Sequence, residues 1–308
     1  VRGGGRGALP LRDGERVTAA ALVHVVVSGL ATGSIYALMA LSLVIIYNAT
    51  RTLNFAQGEM LMASTFVGWA AQRAFGLPLV VTLIVAVLAA ALMGWAVERA
   101  IIRRAIGATH WDVLIITLGL SLMLRAAAGL LWTHDEFPFP SFFGSRPIAL
   151  GPVRLTPVSL GIIAASLALM AGLYALFTWT RLGRAMRAVA QNQRAARLMG
   201  ISVERVYSRS WMLAAMVGAV AGVLVAPVVF LSSKMGLIVI NGFTAAVIGG
   251  FGSMPGAVLG GMLLGVIENL APLYLPSGVR YSVPFLVLIA ILLVRPAGLL
   301  GQVEQRKV

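Results

Sequence analysis

The chain has 308 residues, of which 59% are hydrophobic and only 11% charged, with a mean hydropathy of +0.94. A soluble domain carries about 25% charged residues, so this chain cannot clothe a water-facing surface and reads as one polytopic membrane domain. The net charge of +14 would point to nucleic acid in a soluble protein. Here 22 of 24 basic residues are arginine and most lie in short loops between apolar runs, a membrane-topology pattern that argues against nucleic acid as the partner. The chain has no cysteine, so thiolate metal sites, iron–sulfur clusters and disulfides are excluded.

In chain order, a tail at 1–20 carries Arg2, Arg6, Arg12 and Arg16. Apolar runs of spanning length follow at about 21–47, 53–72, 78–102, 112–132, 157–180, 207–231, 237–252, 256–275 and 281–297. The first run is too long for a signal-peptide core and is expected to be retained. A short tail at 302–308 ends the chain. The domain is thus expected over 21–301, with nine spans, or eight if 53–72 only re-enters. The seventh run, "NGFTAAVIGGFGS", is short and glycine-interrupted and suits a broken helix.

Arginine sets the expected orientation. The loop with Arg99, Arg103 and Arg104 and the loop at about 181–206 should both face the cytoplasm. The proline-rich stretch with Asp135 and Glu136 then lies outside, the N-terminus outside and the C-terminus inside. The N-terminal arginines oppose this and favour the eight-span version. Spans one to four and six to nine form two halves about a linking fifth span, and the odd offset inverts one half relative to the other. Each half places a polar, interrupted segment second, "NFAQGEM" in the first and "INGFTAAVIGGFG" in the second.

Chemistry-bearing residues are few. His24, His110 and His134 are far apart, with no ligand spacing for a metal. The only lysines are Lys234 and Lys307 and there is no P-loop, so any ATP is bound elsewhere. Glu59 and Arg125 are the charges placed within spans, where exposure to lipid costs about 2.5–3.5 kcal/mol, so each should face protein or a wet cavity. A structural ion pair and a polar lining of a permeation path both fit. Asn54 and Gln57 share that ambiguity, because an amide can equally cap a broken helix, and Asn241 is the matching polar residue of the second half. Glu98 and Glu268, near span ends, are expected to anchor structure. Gly252, Gly256, Gly260, Gly261 and Gly265 recur at helical spacing and point to close helix packing. The segment "GRAMRAVAQNQRAARLMGISVERV" reads as helix to Gly200, with Arg184, Arg187, Gln191 and Arg194 along one face. By composition alone it could be a solvated basic loop.

Four stretches together carry a resemblance: "GSIYALMALSLVIIYNATRTLNFAQGEM", the arginine-rich segment just quoted, "FTAAVIGGFGSMPGAVLGGMLLGVIENL" and "LLVRPAGLLG". From about Ser28 to Gly301 the chain resembles permease subunits of ABC importers for branched-chain and other hydrophobic amino acids. The resemblance implies an all-α fold in the bacterial inner membrane and a chain that hydrolyses nothing itself. Two partner subunits would bind ATP and Mg, a second similar permease would complete the pore, and an extracytoplasmic binding protein would deliver substrate. It also implies that "RAARLMG" docks the ATPase, as a variant of an EAA, three residues, glycine pattern. Ala195, Ala196 and Gly200 keep the spacing, whereas Arg194 stands where that pattern has glutamate. Urea, short-chain amides and other polar solutes remain alternative substrates. An ion-driven secondary transporter or channel is the alternative of another class, and a membrane-embedded enzyme is opposed by the lack of an acid–base or metal cluster.

Overall fold

A computed structural model describes residues 19–105, 110–144, 146–150, 153–275 and 282–301. All of the N-terminal tail but its last two residues, and all of the tail at 302–308, lie outside the described residues. Eleven α-helices dominate the described chain: α1 (Ala19–Thr50), α2 (Gln57–Phe75), α3 (Leu79–Ala100), α4 (His110–Trp132), α5 (Pro157–Trp179), α6 (Arg181–Gln191), α7 (Gln193–Leu198), α8 (Val203–Val229), α9 (Ile238–Gly249), α10 (Met254–Tyr274) and α11 (Val283–Val294). One antiparallel hairpin, β1 (Ile148–Leu150) with β2 (Val153–Leu155), interrupts the α4–α5 connection.

Among the described residues, six helices are long and apolar enough to cross a membrane: Ala21–Thr50, Leu79–Ala105, Trp111–Trp132, Pro157–Trp179, Val203–Val229 and Met254–Tyr274. The protein is a multi-pass membrane protein. The runs expected at 237–252 and 281–297 form the shorter apolar helices Met235–Gly249 and Val283–Val294. The run expected at 53–72 begins later, at Gln57, because Arg51 to Ala56 leave helical geometry before α2 starts.

The packing centres on α1, which runs through the middle of the bundle and contacts α10, α8, α9 and α5. Helix α3 packs on α8 and α2, α4 on α2, and α11 on α9 and α10. Such contacts need close backbones, because lipid gives no hydrophobic drive between helices. A Cβ on Gly261 would overlap the backbone of Ala37, and one on Gly265 the backbone of Gly33, so these two glycines form the α1–α10 seam. Gly256 and Gly260 serve α10 against α9 in the same way, at Gly249 and Ala245. Gly252 departs from the expected helix face. It sits in the α9–α10 turn with φ +97°, and a Cβ there would touch nothing nearer than Asn48 Oδ1 at 3.4 Å. Its glycine is required by backbone conformation, not by packing.

Gly265→Val should therefore open the α1–α10 seam, since the obstructing atoms are backbone and cannot rotate away. Overpacking of this kind costs about 1–3 kcal/mol even when side chains can give. Fluorescence-detected size exclusion should show loss of monodisperse protein for Gly265→Val. Gly119→Ala on α4, where a Cβ meets nothing within 4 Å, should behave as wild type. Equal behaviour of the two variants would contradict the seam.

One end of the bundle gathers the arginines. Arg51, just after α1, donates from Nη2 to the Ala190 carbonyl of α6 (3.1 Å), and Arg103, after α3, grips Glu98 and Ser208. The far end is aromatic: Phe66 of α2 stacks on Trp132 of α4 (5.1 Å), and Trp69 meets Phe137 (4.6 Å), whose backbone pairs with Leu231.

Candidate functional site: two interrupted helices and a basic loop

Helix α1 ends with Arg51 at φ +57°, and α8 ends with Phe230 at φ +61°. At both places the chain turns back into the bundle instead of leaving it. Residues 52–56 run inward to α2, and residues 231–234 run inward to a 3-10 turn, Met235–Leu237, that leads into α9. Gln57 Nε2 donates to the Ala214 carbonyl (2.9 Å), which lies about 16 Å along α8, so α2 starts deep between the ends of the bundle. Helix α2 then heads for the aromatic end. Helix α9 heads for the arginine end, where Leu299 and Leu300 donate to the carbonyls of Ile248 and Gly249.

The two starting points touch. A Cβ on Gly58 would overlap the Gly236 carbonyl, and one on Gly236 would overlap Glu59 Oε2. Only glycine allows backbones to meet so closely. Two helix N-termini, each with a partial positive charge, thus converge inside the bundle. The residue that answers them is Glu59, in the first turn of α2 and 1% exposed. Its Oε1 accepts from Arg125 and from Ser121 (3.3 Å), one turn apart on α4, while Oε2 has no hydrogen-bond partner. Arg125 is 36% exposed, so one member of the pair is enclosed and the other reaches the surface of the chain.

Asn54 and Gln57 hold the break itself. Asn54 Oδ1 accepts from the Ala56 amide (3.1 Å), Asn54 Nδ2 donates to Gln57 Oε1 (3.1 Å), and Gln57 passes the connection to α8. Both side chains are enclosed by the chain's own helices and present no surface to a solute in this conformation. Asn241 lies half-buried on α9, next to the exposed Ile240, and Phe243 of the same helix forms a tilted pair with Phe55 (5.9 Å). In the second half the interruption falls at 230–237, upstream of the "INGFTAAVIGGFG" stretch expected to carry it, because that stretch is helical to Gly249.

The basic loop is a second built element. Helix α6 is capped by Thr180, whose Oγ1 accepts from the Gly183 amide (3.1 Å), and it turns Met186 and Val189 inward with Arg184 outward. The helix does not continue to Gly200 as its pattern suggests. Asn192 adopts extended geometry and caps the new helix α7 by accepting from the Ala195 amide (3.0 Å). Arg194 therefore belongs to α7, off the face shared by Arg184, Arg187 and Gln191. Gly200 has φ +78°, its amide bonded to the Arg197 carbonyl and the Ile201 amide to the Ala196 carbonyl, both at 3.0 Å. This is the glycine-terminated cap that its position suggested.

A family model described as "Branched-chain amino acid transport system / permease component" matches residues 25–292. The high-affinity branched-chain amino acid transport system permease protein LivH of Salmonella typhimurium is 32% identical over 91% of this chain and 96% of its own. LivH of Escherichia coli strain K12 has the same identity and coverage, and BraD of Pseudomonas aeruginosa is 32% identical over 92% of this chain and 96% of its own. The chain belongs to this permease family.

Within this permease the structure separates the inward from the outward residues of the basic loop. Ala196 is 3% exposed and faces the bundle, so it offers a partner nothing; Ala195 and Arg194 face outward. The apolar side chains that project are Leu198 and Met199, 89% and 82% exposed. Their signal in the sequence is an apolar pair placed between Arg197 and the terminating glycine. Glu98 and Glu268 are anchors: Glu98 takes both Arg103 contacts (3.1 and 2.9 Å), and Glu268 accepts from Tyr36 of α1 (2.7 Å).

Proposed function

We propose that the chain is one of two permease subunits of an ATP-driven importer of branched-chain amino acids in a bacterial inner membrane. The observation that carries this reading is the near-complete alignment to relatives named for that transport. A second, similar permease completes the pore, an extracytoplasmic binding protein delivers the amino acid, and two further subunits bind ATP and Mg. This chain supplies the path and the mechanical link and does no chemistry.

Two inverted halves are supported by exchange of packing partners. Helix α1 lies on α10 as α8 lies on α3, α2 on α3 as α9 on α10, and α2 on α4 as α9 on α11. The convergent starts of α2 and α9 then lie near the membrane midplane, where inverted-repeat transporters place their interrupted helices. The solute path follows the face on which Arg125 and Asn241 are accessible, toward the second permease. Asn54, Gln57 and Glu59 act from inside by fixing the break against which that face is built. The loop with Arg194, Ala195, Leu198, Met199 and Gly200 docks the ATPase.

If that loop is cytoplasmic, the Arg51–Ala190 contact puts the C-terminal end of α1 there and its N-terminal end outside. A cysteine introduced at Leu22 should react with an impermeant maleimide in intact spheroplasts. Reaction only after permeabilisation would overturn this orientation. The function is tested by co-purifying the four-subunit assembly and measuring leucine uptake with competitors. Isoleucine and valine should compete while urea and acetamide do not, and the reverse order would reject the substrate.

A further inference from the structure

The geometry points to Arg51 as the residue that passes movement of the docking loop to both interrupted helices. This deepens the coupling role proposed above and rests on it. Arg51 is a non-glycine residue held at φ +57°, a conformation that glycine adopts freely and a side chain resists. It follows the 32-residue helix α1, so a glycine there would end the helix with less strain. The arginine side chain links two elements, α6 and the last turn of α1. Its Nη2 donates to the Ala190 carbonyl near the end of α6 (3.1 Å), and its guanidinium lies over the Tyr47 ring (5.6 Å).

From there the contacts divide. Along the backbone, Arg51 leads in three residues to Asn54, and thence to Gln57 and Glu59 at the start of α2. Through space, Tyr47 packs edge-on against Phe251 (4.8 Å) in the α9–α10 turn, and Phe251 packs against Phe243 of α9 (5.7 Å). Asn48 Nδ2 ties the same turn by donating to the Gly252 carbonyl (3.0 Å). A cavity of about 860 Å³, lined in part by Arg51, Arg187, Tyr47 and Phe251, separates α6 from this turn. Across that gap the Arg51 side chain makes a hydrogen-bonded link from the end of α1 to α6. Displacement of α6 would thus move residues 51–57 directly and the α9 side through the aromatic contacts.

The test uses the complete transporter in proteoliposomes, with binding-protein-stimulated ATP hydrolysis and leucine uptake measured on the same sample. Arg51→Gly relieves the backbone strain and removes the side chain. It should match or exceed wild type in thermal stability and keep stimulated hydrolysis, yet lose at least about fivefold in leucine taken up per ATP, the lower end of typical coupling free energies. Arg51→Lys keeps a cation and a donor and should recover part of that loss. A purely structural Arg51 would lower stability and leave uptake per ATP unchanged. Wild-type uptake per ATP in Arg51→Gly, or no difference between Arg51→Gly and Arg51→Lys, overturns the proposal. A Leu198→Ser/Met199→Ser variant measured alongside separates the two readings. If that variant loses ATPase docking while Arg51→Gly couples normally, the link through Arg51 fails alone; if both behave as wild type, the docking role fails with it.

Discussion

Arg125→Ala should cost the protein most of its folded population, and Glu59→Gln should not. The two substitutions break the same ion pair but leave different survivors. Removing the guanidinium strands a carboxylate that is 1% exposed, with one oxygen already lacking a hydrogen bond. Stranding a buried charge costs about 3–5 kcal/mol, a large part of the 5–15 kcal/mol that holds a typical domain. Neutralising Glu59 leaves Arg125, which is 36% exposed and can hydrate at the surface of the chain. The double variant Glu59→Gln/Arg125→Ala should therefore recover much of the abundance lost in Arg125→Ala. Detergent-solubilised yield and Tm of the four proteins read this directly. Glu59→Gln should then show its defect in uptake at normal abundance, because the carboxylate that answers two helix N-termini is gone. Equal Tm for Arg125→Ala and wild type would mean that the pair does not hold the break.

The second large effect is expected at the tip of the loop. Leu198 at the end of α7 and Met199 at its cap are exposed on a polar segment that also carries Arg194, Arg197 and Glu204. In the docking role proposed for this loop, these two side chains are the apolar surface offered to the ATPase subunit. Burying two side chains of this size contributes about 3 kcal/mol or more, which is over a hundredfold in Kd. Leu198→Ser/Met199→Ser should thus lose the ATPase subunits on dilution while the two permeases stay together. Gly200→Val should act differently. A side chain at Gly200 meets nothing within 4 Å, so the penalty is conformational and would unwind the cap that aims Leu198 and Met199. Size exclusion of the solubilised complex, with subunit ratios read by mass, distinguishes both from wild type.

Much of this was legible in the sequence because lipid imposes few and strict rules. Low charge density and long apolar runs fixed the class, and loop arginines gathered at the end where Arg51, Arg103 and Arg197 make their contacts. Gly200 could be read because glycine takes a positive-φ cap without the steric cost a side chain brings. Other features escaped for physical reasons. The sequence pattern puts the second interruption too late, because glycine richness at Gly242, Gly249 and Gly250 serves helix contact and termination, while the chain leaves α8 at Phe230, an ordinary apolar residue. The facing of Ala196 and Leu198 could not be phased by helical periodicity, because Asn192 breaks the helix and resets it. The pairing of Glu59 with Arg125 joins residues 66 apart, and no local pattern reports such a contact.

The most direct test of the account is leucine accumulation by the reconstituted permease pair, with and without the ATPase subunits, under either internal ATP or an imposed ion gradient. The account predicts accumulation only with the ATPase subunits, ATP and the binding protein all present, and none from a sodium or proton gradient. Gradient-driven accumulation by the permeases alone would contradict it.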